Sequence, residues 1–218
     1  MSGVRSGLAL LLVAVAGLVT LGQAQPLAPG GGPMLAWLPL ELAELNRDLG
    51  RADLPQLPPG LAIFGASYSG DRRDKLAIGG LAAFGESAAS RLAKSVRLSL
   101  RLAGLALEYG ELVTERWGIF VGGLAAPAHL ALEVAFQPAA DFQSGLARPT
   151  GTGLTRELLS LELYAGGEWA LGAQRVRISL GYLWAGEVSD WRTDGRDLPG
   201  PSASFSGPLL QVVIVLGI

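Results

Sequence analysis

Residues 94–110 read KSVRLSLRLAGLALEYG, and their spacing decides the fold. From Lys94 to Leu102 the chain alternates strictly. Val96, Leu98, Leu100 and Leu102 fall on one face, and Ser95, Arg97, Ser99 and Arg101 on the other. Successive side chains of a strand point to opposite sides, so this is the pattern of a half-buried β-strand. Beyond Ala103-Gly104 the apolar residues move to odd numbers (Leu105, Leu107, Tyr109). In 116–136 they move from odd (Trp117, Ile119, Val121) to even (Leu130, Leu132, Val134, Phe136) around Gly122–Pro127. With residues 111–115 as the turn, Gly104 falls opposite Gly122. The matched changes then predict a bulged, sharply bent hairpin, or else four shorter strands with breaks.

Outward from this hairpin, the same alternation marks 61–69, 75–85, 157–170, 174–186 and 208–218. Arg175–Trp184 sets Val176, Ile178, Leu180, Tyr182 and Trp184 against Arg175, Arg177, Ser179 and Gly181. In the last segment Gln211 marks the polar face. Short turns at 70–74, 111–115 and 171–174 contrast with long polar connections at 137–156 and 187–205. The expected fold is all-β, an antiparallel up-and-down barrel of about eight strands. Seven segments are one short of the even number that bacterial single-chain barrels have. Either Met34–Leu38 supplies another strand or one segment is miscounted.

Ahead of the barrel, Leu42, Leu45 and Leu49 lie at helical spacing after Pro39 and before Gly50, which predicts one short amphipathic helix over 40–49. Arg5 is the only charge in the first forty residues. It precedes an apolar run, Gly7 to Val19, and the small residues Gly22 and Ala24 that suit a cleavage site. That is the form of a secretory signal peptide. The expected organisation is a signal peptide over 1–24, a flexible linker over 25–39, the helix and a Pro-rich linker over 40–59, and a barrel domain over 60–218.

The 218 residues include 31 Gly, no Cys and 17% charged side chains, with a formal net charge of −2. So few charges exclude a disordered chain, and the absence of Cys excludes a disulfide framework or a thiol site. Nothing in this balance attracts nucleic acid. His129 is the single His, so a zinc set lacks a second imidazole and any Ser-His-Asp triad would have to use this one residue. Gly65–Ser69 (GASYS) lacks the last Gly of a nucleophile elbow. Gly151-Thr152-Gly153 has no strand–helix context for a dinucleotide. Glu162 and Glu168 on one strand lie roughly 20 Å apart, too far for paired carboxylates. The reading is therefore no enzyme, no metal and no cofactor, with no small-molecule ligand identifiable.

Alternation alone fits a soluble barrel, apolar inside, and a membrane barrel, apolar outside. The polar faces here are mainly Ser, Gly and Ala with sparse charges, and the chain has only two Lys, Lys75 and Lys94. A water-facing exterior is normally richer in charge. The expectation is an exported outer-membrane barrel with a periplasmic helix. Its polar lining would be Arg97, Arg101, Glu133, Glu162, Arg177 and Gln211, ion-paired across a narrow lumen. Aromatic residues near both strand ends, Tyr109, Trp117 and Trp169 against Tyr182 and Trp184, suit interfacial girdles. The partner is then a lipid bilayer, and the role structural, narrow-pore or adhesive. The alternatives are a soluble periplasmic lipocalin-like barrel holding an apolar ligand, and an envelope protein that self-associates through its apolar face.

The runs LAELNRDLG and LPQLPPGLAIFGASYSG, with KLAIGGLAAFG, LEYG at 107–110, GIFVGGLAA at 118–126, GYLW at 181–184 and FSGPLLQVVIVLGI at the end, carry a resemblance. They resemble uncharacterised exported bacterial proteins with a short N-terminal helix and a Gly-rich outer-membrane-type β-barrel. The resemblance spans most of 40–218 and implies that architecture, with no active site. The last strand departs from outer-membrane barrels in ending on Ile218 rather than an aromatic residue.

Overall fold

The computed structural model describes residues 27–71, 73, 75–92, 94–136, 151–172, 174–201 and 205–216. The expected signal peptide, residue 137 onward to 150, and Ile218 lie outside them. The strands are β1 (Gly30–Pro39), β2 (Gly60–Ser69), β3 (Leu76–Arg91), β4 (Lys94–Leu112), β5 (Trp117–Phe136), β6 (Gly151–Leu171), β7 (Gln174–Glu187), β8 (Trp191–Thr193), β9 (Arg196–Leu198) and β10 (Gly207–Leu216). One helix, α1 (Ala43–Arg51), joins β1 to β2. Eight strands close an antiparallel barrel in the order β1-β2-β3-β4-β5-β6-β7-β10, with β10 pairing back onto β1 and β5 onto β6. β8 and β9 form a small hairpin beside the start of β6.

The eighth strand is β1, so residues 30–39 are barrel wall and not linker, and the barrel begins well before residue 60. Gly and Pro disguise it. Gly32 lies against β10 so closely that a Cβ there would run into the Ile214 carbonyl. Met34, Ala36 and Leu38 face inward, while Leu35 and Trp37 face out. Pro39 therefore closes a strand instead of opening a helix, and α1 starts three residues later than the leucine spacing suggested.

The two barrel ends differ. Chain segments 70–75, 113–116 and 172–173 connect strands at the end where β1 starts and β10 finishes, here the turn end. At the opposite end, here the loop end, the 40–59 segment joins β1 to β2, β3 finishes and β4 starts, β5 finishes and β6 starts, and β7 finishes and β10 starts. The helix sits at this loop end, opposite the two ends of the barrel chain. Asn46 of α1 clamps the Pro-rich return, its amide donating to the Leu57 carbonyl (3.0 Å) and its Oδ1 accepting from the Leu57 N–H (2.8 Å). Lys94 Nζ pairs with the Asp53 carboxylate at 2.7 Å, tying the same segment to the start of β4 and holding that carboxyl below its ordinary range.

β4 and β5 hold one register throughout. Leu98 faces Leu132, Leu105 faces Ala125 and Leu112 faces Gly118. Pairing skips only Ala103-Gly104 and Ala126-Pro127, where Pro127 has no N–H to donate. The expected bulge is absent, and Gly104 packs against Ala126 rather than opposite Gly122. Even-numbered β4 residues point inward from Val96 and Leu98, both 0% exposed, to Glu108, 5% exposed; past it the odd-numbered Glu111 is buried as well. Between Val96 and Glu108 the pleat keeps one phase; what changes is the chemistry on each side of it.

Candidate functional site

That chemical inversion divides the barrel into two storeys. In the loop-end storey, Val96, Leu98 and Leu100 of β4 and Leu130 and Leu132 of β5 point inward. They form one core with Leu45 and Leu49 of α1, Leu54, Leu57, Trp191 and Phe205. The 40–59 segment thus fills the mouth with leucine side chains. The outer wall of this storey is polar. Arg97 pairs with Glu86 at 3.1 Å and His129 with Glu157 at 2.8 Å, all four well exposed.

In the turn-end storey the wall is reversed. Leu105, Ile78 and Leu180 point outward with 72%, 69% and 62% of their surface exposed. Phe64 and Tyr68 on β2, Leu161 and Leu163 on β6, and Leu210, Ile214 and Leu216 on β10 continue the same apolar band. Its upper edge is sharp. Arg101 faces His129 and His129 faces Glu157 across the three adjacent strands β4–β6, so a polar rung crosses the wall there immediately above the band. Aromatic residues mark both edges. Trp117 pairs with Trp169 near the turn end; Trp37 and the Tyr182–Trp184 contact (4.8 Å) lie towards the loop end.

Behind the apolar band the lumen is charged. The Arg177 guanidinium bonds the Glu108 carboxylate, lies 3.4 Å from the Glu168 carboxylate and stacks on the Phe120 ring, 3.9 Å from its centroid. Glu168 also takes Arg175 at 2.9 Å, and Arg175 donates to the Ala28 and Pro29 carbonyls, pinning the chain ahead of β1 across the opening. Gln211 donates to Glu162 at 2.7 Å and accepts from Ser179 at 3.4 Å. Lys75 and Glu111 pair at 2.5 Å near the turn end. A charge buried in this way persists only when paired and hydrogen-bonded. The cavity left among Ser69, Glu108, Glu162, Tyr164 and Arg177 is about 40 Å³. That is room for a few waters and far below the ~300 Å³ of an organic-ligand pocket.

Of the six residues expected to line the lumen, Glu162, Arg177 and Gln211 do so, with 2%, 8% and 6% exposure. Arg97, Arg101 and Glu133 do not; they stand on the outer wall of the loop-end storey, because their odd positions on β4 and β5 face away from the leucine core. The partners of Arg177 are Glu108 and Glu168, neither of them among those six. A constant pleat would have found Glu108, since it shares even parity with the inward leucines. His129 bonds Glu157 of the next strand, not Glu133 of its own. Among the described residues no cluster of acids and imidazole could hold a metal ion. No family model matches the chain, and neither does any curated protein.

Proposed function

We propose that the protein is an integral β-barrel of the outer membrane. Its turn-end storey is embedded in lipid and its loop-end storey stands in water, serving as a structural or adhesive anchor without catalysis. The observation that carries this reading is the inversion of the wall at one height on neighbouring strands. A soluble barrel has no reason to put Leu105, Ile78 and Leu180 outside and an Arg–Glu network inside, whereas lipid reverses the preference of both faces. The band is the right height. Leu76–Phe84, Val176–Trp184 and Pro208–Leu216 each supply about nine residues, the number a tilted strand needs to cross a bilayer. Short connections at the end where β1 starts and β10 finishes suit the periplasmic side. On this reading α1 belongs to the outer side, not the periplasm.

The same features argue against the lipocalin-like and narrow-pore alternatives. The upper interior is filled by the leucines of 40–59, and the lower by ion pairs around a 40 Å³ cavity. Single cysteines test the embedding, since the chain has none of its own. With a fluorophore at Leu180→Cys or Ile214→Cys, brominated lipids should quench strongly. At Arg97→Cys or Glu133→Cys they should quench little. Uniform quenching, or recovery of the chain in aqueous buffer without detergent, would reject the reading. Planar-bilayer recordings should show no steady conductance.

A further inference from the structure

We propose that the outer wall across β4, β5 and β6 is a binding site for one phosphate-bearing lipid, its headgroup on Arg101 and an acyl chain in the groove beneath. The inference rests on the membrane reading above and adds a specific ligand to it.

The groove is an open depression of about 690 Å³ within the apolar band. Leu105 and Leu107 of β4 form one wall and Leu161 and Leu163 of β6 the other. Its floor is Gly123 and Ala125 of β5, which face out between those leucines. Directly above, a second depression of about 230 Å³ continues it, lined by Ala103, Pro127, Arg101, His129 and Glu157. Ala103 and Pro127 are the next outward positions after Leu105 and Ala125, so the two depressions abut.

Charge at the head of the groove selects the occupant. The neighbouring cations of this outer wall are already engaged, Arg97 by Glu86 and His129 by Glu157. Arg101 is exposed and has no ion-pair or hydrogen-bond partner among the described residues. Glu157, the nearest carboxylate in the depression, is held by His129. A guanidinium matches phosphate oxygens two at a time. The dimensions fit one leaflet. From the level of His129 to Gly123 is about 20 Å along the strand, and a strand tilted by ~40° makes this about 15 Å of depth, half of the ~30 Å hydrocarbon core. A free anion would use the headgroup position alone and leave the apolar groove uncovered.

Native mass spectrometry of the full chain in a neutral detergent tests the site, with dioleoyl phosphatidic acid as probe and dioleoyl phosphatidylcholine as comparison. One phosphatidic acid should be retained per barrel in preference to phosphatidylcholine, and inorganic phosphate should not displace it. Arg101→Gln should reduce retention about tenfold, the scale of one charge-assisted contact. Ala125→Leu, which fills the floor from an exposed position, should also reduce it. Arg97→Gln, at an arginine already paired, should leave it unchanged. Equal retention of the two lipids, no effect of Arg101→Gln, displacement by inorganic phosphate, or a dimer that occupies the groove would each overturn the proposal. Quenching of a fluorophore at Leu180→Cys by brominated lipid, measured on the same preparations, is independent of the groove. Its persistence would leave the membrane reading standing while the lipid site fell.

Discussion

Leu98→Arg should abolish folding of the loop-end storey, at a cost above about 4 kcal/mol, because it places an unpaired cation where no water reaches. Leu98 is fully buried, faces Leu132 on β5 and Ser87 on β3, and belongs to the core that α1 completes. Urea titration of the refolded barrel in phospholipid vesicles measures the effect. Leu98→Ala guards against a variant that never folds; it should still cost about 2–5 kcal/mol through the cavity it leaves. Nine positions along the same strand, Leu107→Arg should cost about 2–4 kcal/mol in a bilayer, where the side chain meets lipid. Ser99→Arg, on the polar outer wall between them, should change stability by less than about 0.5 kcal/mol. A barrel apolar inside from end to end predicts a different order, with Leu107→Arg nearly free. A barrel lipid-facing from end to end predicts that Leu98→Arg resembles Leu107→Arg. Only a wall that inverts gives all three results together.

Why this inversion escapes a reading of the sequence is instructive. The alternation of Lys94–Leu102 was enough to set strand, barrel and approximate strand number, because the pleat is a local property of the backbone. The change of apolar residues from even to odd numbers at Ala103-Gly104, with its mirror in β5, was also visible. It is natural to read such a change as a bend, on the assumption that an apolar side chain always seeks the same face. The assumption holds when one solvent surrounds the whole strand. It fails when a strand passes from water into an apolar surrounding, since the inward face then goes from leucine to carboxylate without any change of backbone. Hence Arg97, Arg101 and Glu133 looked equivalent to Arg177 and Glu162, though they stand on opposite sides of the wall. β1 was hidden for a different reason. Gly32 is required by a close backbone approach to β10, and such closeness leaves no hydropathy signal. The β8–β9 hairpin was legible in principle: Asp194-Gly195 both have positive φ, 48° and 76°, the backbone of a two-residue hairpin turn that this dipeptide favours.

The interior network yields the second large effect. Arg177→Met should destabilise the barrel by about 3–5 kcal/mol, the cost of taking one partner out of a buried, hydrogen-bonded charge network. Methionine keeps most of the volume beside Phe120, so the loss is of charge and hydrogen bonds rather than packing. Two carboxylates are affected unequally. Glu168 keeps Arg175 at 2.9 Å, whereas Glu108 loses the guanidinium that bonds it directly and keeps the hydroxyls of Ser69 and Tyr164 at 3.4 and 3.5 Å. Neutralising Glu108 should therefore relieve part of the damage. The double variant Arg177→Met/Glu108→Gln should be more stable than Arg177→Met alone, and a double-mutant cycle of urea midpoints should return a coupling of about 1–3 kcal/mol. Arg97→Met, which breaks the exposed pair with Glu86, serves as the reference and should cost less than about 1 kcal/mol. If Arg177→Met costs no more than Arg97→Met, the lumen is open to water at that height and the ion pairs are ordinary surface pairs. If it is costly and the vesicles remain tight to ions, the lower storey depends on its charge network for stability. The seal against conduction then lies above it, in the leucines that β4, β5 and α1 bring together.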